Sequence, residues 1–208
     1  MIIQEAYSEW SSTYDVDRNL TRDLDKTVTA TLLSPFRFSS VVELGCGTGK
    51  NTPFLAGIGE KVLALDFSEG MLIQARAKVR SDHVSFAKAE LRSRWPCPDR
   101  SADLLTCNLV LEHISDLEFI FAEAGRVLMS GGRFLVCELH PFRQYQGARA
   151  NFVRDELKVE IPAFVHHVSE FLQVGQKGGF ILESLREWWH DQDQDKPPRL
   201  LSLLYCKP

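Results

Sequence analysis

The sequence predicts a doubly wound α/β sheet of seven strands, six parallel and the last antiparallel, on three observations. Apolar runs alternate with helical patterns from residue 40 to 139, as parallel strands joined by crossover helices require. Three glycines, Gly45, Gly47 and Gly49, crowd the turn behind the first run, where such a sheet opens toward ligands. Near the C-terminus two apolar segments flank the charged stretch HDQDQDKPP, the pattern of an antiparallel hairpin with a solvated turn.

An amphipathic helix comes first, because Leu20, Leu24, Val28 and Leu32 recur every four residues. SVVEL (40–44) and KVLALD (61–66) are continuous apolar runs, the kind buried on both faces of a parallel sheet. Between them a short helix starts near Thr52 and Pro53 and closes at Gly57 and Gly59. In SEGMLIQARAKVR, Met71, Leu72, Ala75 and Val79 share one helical stripe behind an N-cap at Ser68. HVSFAKA (83–89) and ADLLTCN (102–108) are the next strands.

The plainest helix is SDLEFIFAEAGRVLMSGG, with a capping box from Ser115 and Glu118, a buried stripe of Leu117, Ile120, Phe121, Ala124, Val127 and Leu128, and a stop at Gly131. It feeds the strand GRFLVCEL (132–139), after which residues 141–165 lose any steady period and read as an insertion over the sheet's edge or mouth. A helix near 167–176, ended by Gly178 and Gly179, leads to the strands FILESLREWW (180–189) and RLLSLLYCK (199–207). The expected organisation is one domain over 1–208, with an N-terminal helical cap at 1–35 and a substrate-side insertion at 141–178.

A chain of 208 residues that is 44% hydrophobic can bury one core but is short for two. Its net charge of -4 argues against a nucleic-acid backbone as partner. No run approaches the roughly 18 apolar residues of a membrane span, and MIIQEAYSEW lacks a signal-peptide pattern. A soluble, cytoplasmic protein with no membrane partner is expected. The five cysteines (Cys46, Cys97, Cys107, Cys137 and Cys206) are odd in number and form no C-x-x-C, so they read as reduced thiols. The six histidines include no H-E-x-x-H, and no metal site is expected.

A glycine-rich turn lets a ligand approach the backbone, and Asp66, ending the second strand, is placed to accept from a ribose diol. Together they suggest an adenosine-bearing cofactor. A dinucleotide fingerprint needs G-x-G-x-x-G, whereas here the third position falls on Lys50.

VVELGCGTGKN (41–51) resembles the first motif of the class I S-adenosylmethionine-dependent methyltransferases. ALDFSEGML (64–72), AELRSRWPCPDRSADLLTCNLVLEHI (89–114) and EAGRVLMSGGRFLVCELHP (123–141) resemble that family's later motifs in the required order, in the small-molecule branch related to quinone-biosynthesis enzymes. YSEWSSTYD (7–15) is similar to the segment that covers the cofactor in many of them. The resemblance implies a Rossmann-like sheet, S-adenosylmethionine as cofactor with S-adenosylhomocysteine as product, and in-line methyl transfer to a small-molecule acceptor.

Carried over by position, it puts Glu43, Gly45, Cys46 and Gly47 around the methionine part, with Gly49 of the same loop also bare because the cofactor lies against it. Asp66 takes the ribose, Phe67 and Met71 the adenine face, Glu90 and Leu91 the adenine edge, and Asn108 lies below the methionyl group. Glu90 departs from the family's commoner Asp. Tyr7, Trp10 and Tyr14 fall in the covering segment.

The sulfonium already activates the methyl carbon, so a base is needed only if the acceptor must lose a proton. His140, directly after the fifth strand, is the first candidate and His113 the second. Tyr7, His140, Arg143, Tyr145 and His166, with Arg149 and His167, are candidates for the acceptor pocket. CNLVLEH stands where base-methylating enzymes carry an Asn/Asp-Pro-Pro-aromatic motif, which weighs against a flipped base as acceptor. Two alternatives stay open: a nicotinamide-dependent oxidoreductase and a non-catalytic S-adenosylmethionine-binding module.

Overall fold

The computed structural model describes residues 3–16, 18–154 and 157–208. The main sheet contains β1 (Val41–Leu44), β2 (Val62–Asp66), β3 (Val84–Lys88), β4 (Ala102–Asn108) and β5 (Leu128–Leu139). Two short strands, β6 (Asn151–Arg154) and β7 (Leu157–Glu160), pair with each other outside it, and β8 (Ile181–Trp188) and β9 (Leu200–Cys206) complete it. The strand order is β3-β2-β1-β4-β5-β9-β8. β1 to β5 run parallel, and β9 runs antiparallel to both β5 and β8. Six strands therefore point one way and the last the other, as the sequence predicts. The order reverses between β1 and β4, which places a crevice at their C-terminal ends.

Both faces of the sheet are covered, which explains the unbroken apolar runs. Val42 and Leu44 of β1 join a core with Phe121, Ala124 and Phe171, while Val41 joins another with Val28 and Leu55. Helices α2 (Leu20–Leu33), α3 (Thr52–Ile58) and α4 (Glu69–Lys78) supply one face, and α5 (Leu117–Val127) the other. Each fully buried Val or Leu contributes about 1.5–3 kcal/mol. α1 (Ile3–Trp10) precedes them and lies over the strand ends, touching α4 where a Cβ on Gly70 would stand 2.9 Å from the Ser8 carbonyl oxygen. The β6–β7 hairpin backs it, with the Trp10 and Phe152 rings stacked at 5.5 Å.

Several expectations shift. Asp116, not Ser115, caps α5, accepting from Phe119 N at 3.1 Å, while Glu118 turns outward to Lys177 at 2.6 Å. Starting one residue later puts Phe119 at the third helical position, so no capping box closes. The helix also stops at Val127, and β5 begins at Leu128; Gly131, at φ +79°, is absorbed near a bulge against β4 instead of ending a helix.

α7 (Val168–Lys177) carries Phe171 and Val174 into the main core, so it is a helix of the sheet. What stands outside is the stretch 141–167, which holds α6 (Pro141–Tyr145) and the hairpin. In the N-terminal segment α1 lies over the crevice, whereas α2 packs on β5 and β9, with Val28 and Leu33 wholly buried, and reaches the crevice through Arg22 and Asp25.

Candidate functional site

A cleft at the ends of β1, β2 and β4 is lined by Tyr7, Tyr14, Glu43, Gly45, Cys46, Gly47, Asp66, Phe67, Met71, Glu90, Leu91, Asn108 and His113. Sequence reasoning singled out all of these. Gly45, Gly47 and Gly49 take φ of +69°, +53° and +76°. Their bareness has different causes. A Cβ on Gly45 would sit 2.3 Å from Val110 Cγ2, which the protein itself excludes, and one on Gly49 would crowd Val79 at 3.2 Å and Ala75 at 3.3 Å. Only at Gly47 would a Cβ meet nothing within 4 Å. The sequence expectation that one ligand accounts for all three glycines is thus corrected, and Gly49 lies outside this cleft.

Asp66 holds the loop from the end of β2. Its carboxylate accepts from Gly47 N at 2.9 Å and Ser68 N at 2.8 Å, and both oxygens keep acceptor capacity toward the cleft. Burial pushes its pKa up to about 6, against the lowering effect of those amides. Glu90, by contrast, folds back onto Arg92 at 2.7 Å, which holds its carboxyl below the usual range. The Cys46 thiol is raised far by burial and is inert.

The floor is rich in acceptors. Glu43 accepts from Thr52 Oγ1 at 2.6 Å and is pushed up to about 8 by burial. Asp25, projecting from α2, accepts from Asn51 Nδ2 at 2.8 Å and from Asn108 Nδ2 at 2.6 Å, and burial raises it too. The buried Asn51 Oδ1 has no partner among the described residues. Two buried acids and an orphaned carbonyl oxygen make a floor suited to an ammonium group. At the same end the Arg22 guanidinium lies 3.9 Å over the Tyr14 ring and donates to the Tyr14 carbonyl.

The opposite wall is assembled from distant segments. His113 Nδ1 lies 2.9 Å from the Pro162 carbonyl oxygen, which can only accept, so Nδ1 carries the proton and Nε2 accepts from the Tyr7 hydroxyl at 2.7 Å. Burial lowers the His113 pKa and raises that of Tyr7, keeping both neutral. α1 is hooked over the cleft by Gln4 Nε2 donating to Phe67 O at 2.6 Å and by the Ser8 and Ser68 hydroxyls at 2.9 Å. Asp15 extends the closure, accepting from Thr48 Oγ1 at 2.8 Å and pairing with Lys78 at 2.6 Å.

The remaining acceptor-side candidates lie elsewhere. His140 is 1% exposed outside the cleft, with Nδ1 accepting from Phe142 N at 3.2 Å and Nε2 donating to Glu187 at 2.9 Å. Arg143 faces the buried Asp193 at 2.9 Å, Tyr145 turns out to His167, and Arg149 reaches the Ala163 carbonyl at 3.4 Å. His166 donates to the Ile114 carbonyl at 2.8 Å and so touches the wall only from behind. These residues diverge because α6 turns away from the cleft as soon as β5 ends.

Sequence reasoning missed Gln4, Arg22, Asp25, Asn51, Leu109 and Val110, which also line the cleft. Arg22 and Asp25 carried no signal in the sequence, because only the structure shows that these two charges of the amphipathic α2 are buried.

A family profile described as a methyltransferase domain matches residues 42–136. A demethylmenaquinone methyltransferase of Clavibacter sepedonicus is 32% identical over 65% of this chain and 57% of its own length. A malonyl-[acyl-carrier protein] O-methyltransferase of Serratia marcescens is 31% identical over 66% of this chain and 52% of its own. The chain thus spans between half and three-fifths of these relatives. Among solved structures, an S-adenosylmethionine-dependent methyltransferase from Mesorhizobium loti superposes with a TM-score of 0.72 at 22% identity, covering 87% of this chain and 96% of that one.

Proposed function

Because the chain belongs to the class I S-adenosylmethionine-dependent methyltransferases, we propose that its cleft binds S-adenosylmethionine and presents the methyl group to a small-molecule acceptor. One observation carries this reading: a left-handed glycine loop is pinned by Asp66, the acid that faces the cleft, directly above a floor of buried acceptors. The residues fit the group. Asp66 would take the ribose hydroxyls, Phe67, Met71 and Leu91 the adenine, and Asp25, Glu43 and Asn51 the ammonium. Arg22 would meet the carboxylate. Glu90 would reach the adenine amine only after releasing Arg92.

When bound, the cofactor supplies an electrophilic methyl carbon. The chain's part is to align an acceptor and exclude water. Tyr7, Val110 and Ile114 offer the acceptor an apolar wall, and His113, neutral with Nε2 turned inward, would take a proton from an acceptor hydroxyl or carbon acid once Tyr7 yields its place. His140 is too enclosed for that role. The cleft encloses about 180 Å³, below the roughly 300–1,000 Å³ of small-molecule sites, so α1 would shift to admit ligands.

The two relatives are named for different acceptors, so kinship does not select one. The net charge of -4 supports an acceptor other than nucleic acid, and the cysteine pattern supports a cytoplasmic setting. No described helix is long and apolar enough to cross a membrane.

Calorimetric titration of S-adenosylmethionine and of NADH into the wild type and Asp66→Ala tests the reading. S-adenosylmethionine is expected to bind, and about 10–100-fold more weakly in the variant, the cost of charged hydrogen bonds. NADH binding alone would support an oxidoreductase and end the methyltransferase reading.

A further inference from the structure

We propose that Glu138 is a positioning residue for methyl transfer: one oxygen of its carboxyl group holds the backbone of Val110 and Leu111 and thereby sets the wall that carries His113 into the cleft. The inference rests on reading that cleft as the methyl-transfer site.

Glu138 interrupts the apolar run of β5 and is 3% exposed. Burying a carboxyl there costs free energy that a leucine would not, so its bonds need an account. Oε1 accepts from Val110 N and Leu111 N, each at 3.0 Å. Oε2 has no partner among the described residues. The carboxyl is therefore spent entirely on one turn.

That turn needs outside support. Leu109 sits at φ +57°, in the left-handed region that a leucine enters at a cost of about 1–3 kcal/mol. It leaves the β4 ladder through a bond from its N–H to the Cys137 carbonyl at 2.8 Å. The bend aims Val110 at Gly45 and starts the single helical turn Leu111–His113, closed by His113 N on the Val110 carbonyl at 2.9 Å. Of the three described non-glycine residues with positive φ, only Leu109 lines the cleft. Glu138 thus pins the strained corner from which the His113 wall is hung.

The titratable groups around Glu138 are Glu112 from the same turn, Cys107 from β4, Cys137 beside it on β5 and Tyr7 from α1, none of them a cation. Burial and Glu112 push its pKa up to about 8, so at neutral pH the protonated acid is close to a glutamine in shape and charge. Either offers one oxygen to two amides.

The test follows His113 by NMR in protein labelled at histidine, its signal assigned with His113→Gln, in wild type, Glu138→Gln, Glu138→Asp and Glu138→Ala. Calorimetry with S-adenosylhomocysteine runs beside it. In wild type and Glu138→Gln, His113 should titrate below the ordinary value of about 6.5, with affinities within twofold of each other. In Glu138→Ala the midpoint should return toward that value and affinity should fall about tenfold. Glu138→Asp, one methylene short of the amides, should fall between.

A folded Glu138→Ala protein with an unchanged His113 titration overturns the proposal, and so does Glu138→Gln behaving like Glu138→Ala. If Glu138→Ala does not fold, an Asp variant indistinguishable from wild type has the same force. Absence of S-adenosylhomocysteine binding in the wild type would instead count against the reading of the cleft, leaving the His113 titration to judge Glu138.

Discussion

The two ends of the cleft are built on different principles. At the loop end, Asp66 reaches Gly47 and Ser68 through bonds to backbone amides nearby in the fold, and Gly45 to Gly47 present main chain to the ligand. At the far end, Tyr7 meets His113 across 106 positions of sequence, and His113 meets Pro162 across another 49. The first end is dictated by short motifs whose residue types are forced by backbone geometry. The second exists only when α1, the β4–α5 turn and the stretch after the hairpin come together, so each residue there is constrained by its neighbours in space.

The sharpest way to break this comparison is at the loop. Gly45→Ala drives a Cβ to 2.3 Å from Val110 at φ +69°, so the loop and the opposing wall must both move. Strain and overpacking together should cost about 3 kcal/mol, roughly a hundredfold in S-adenosylmethionine affinity, with a lower Tm. Gly47→Ala meets no protein atom within 4 Å. Its Tm should fall less, while its affinity drops through the cofactor's own contact. Equal effects on Tm and affinity at both positions, by calorimetry and thermal melts, would mean that the loop is structural throughout.

A smaller effect separates the ends by pH. Glu43 at the loop end and Glu138 at the far end are each raised by burial to about 8, from 4.5. The folded state holds these protons more tightly than the unfolded chain, so unfolding releases them. Stability therefore falls as pH rises from 4.5 through 8. Between about pH 6.5 and 8.5 the Tm of the ligand-free protein should drop by about 5–10 °C, as about 2–3 kcal/mol implies for a chain of this size. Glu43→Gln and Glu138→Gln should each flatten the slope. S-adenosylmethionine, bringing a cation to the floor, should relieve the Glu43 part alone; an equal relief of both would show that the two ends are not electrically distinct.

What could be read from sequence follows the same division. The sheet, its order of parallel strands and the antiparallel finish were legible because runs such as VVEL and VLALD must be apolar on both faces. Asp66 and the glycines were legible because their chemistry is local. Asp25 and Arg22 were not, since a polar residue on an amphipathic helix looks the same in sequence whether it faces water or a cleft. Ser115 misled as a cap because Asp116 is an equally good one in the next position. Glu138 carried a signal in its place within an apolar strand, but only the structure shows the two amides on its oxygen.

The smallest effect is expected at His140, where position in sequence pointed to the acceptor and the fold does not. It follows β5 directly and caps α6, with one ring nitrogen on Phe142 N and the other on Glu187. His140→Asn keeps a side-chain oxygen that can accept from Phe142 N and gives up the bond to Glu187, a cost of about 1 kcal/mol and a Tm lower by about 2–4 °C. Affinity for S-adenosylmethionine should stay within twofold, because no atom of His140 faces the cleft. A tenfold loss in the folded variant would show that the far wall extends through α6 to β8, and the boundary drawn here at His113 would have to move outward.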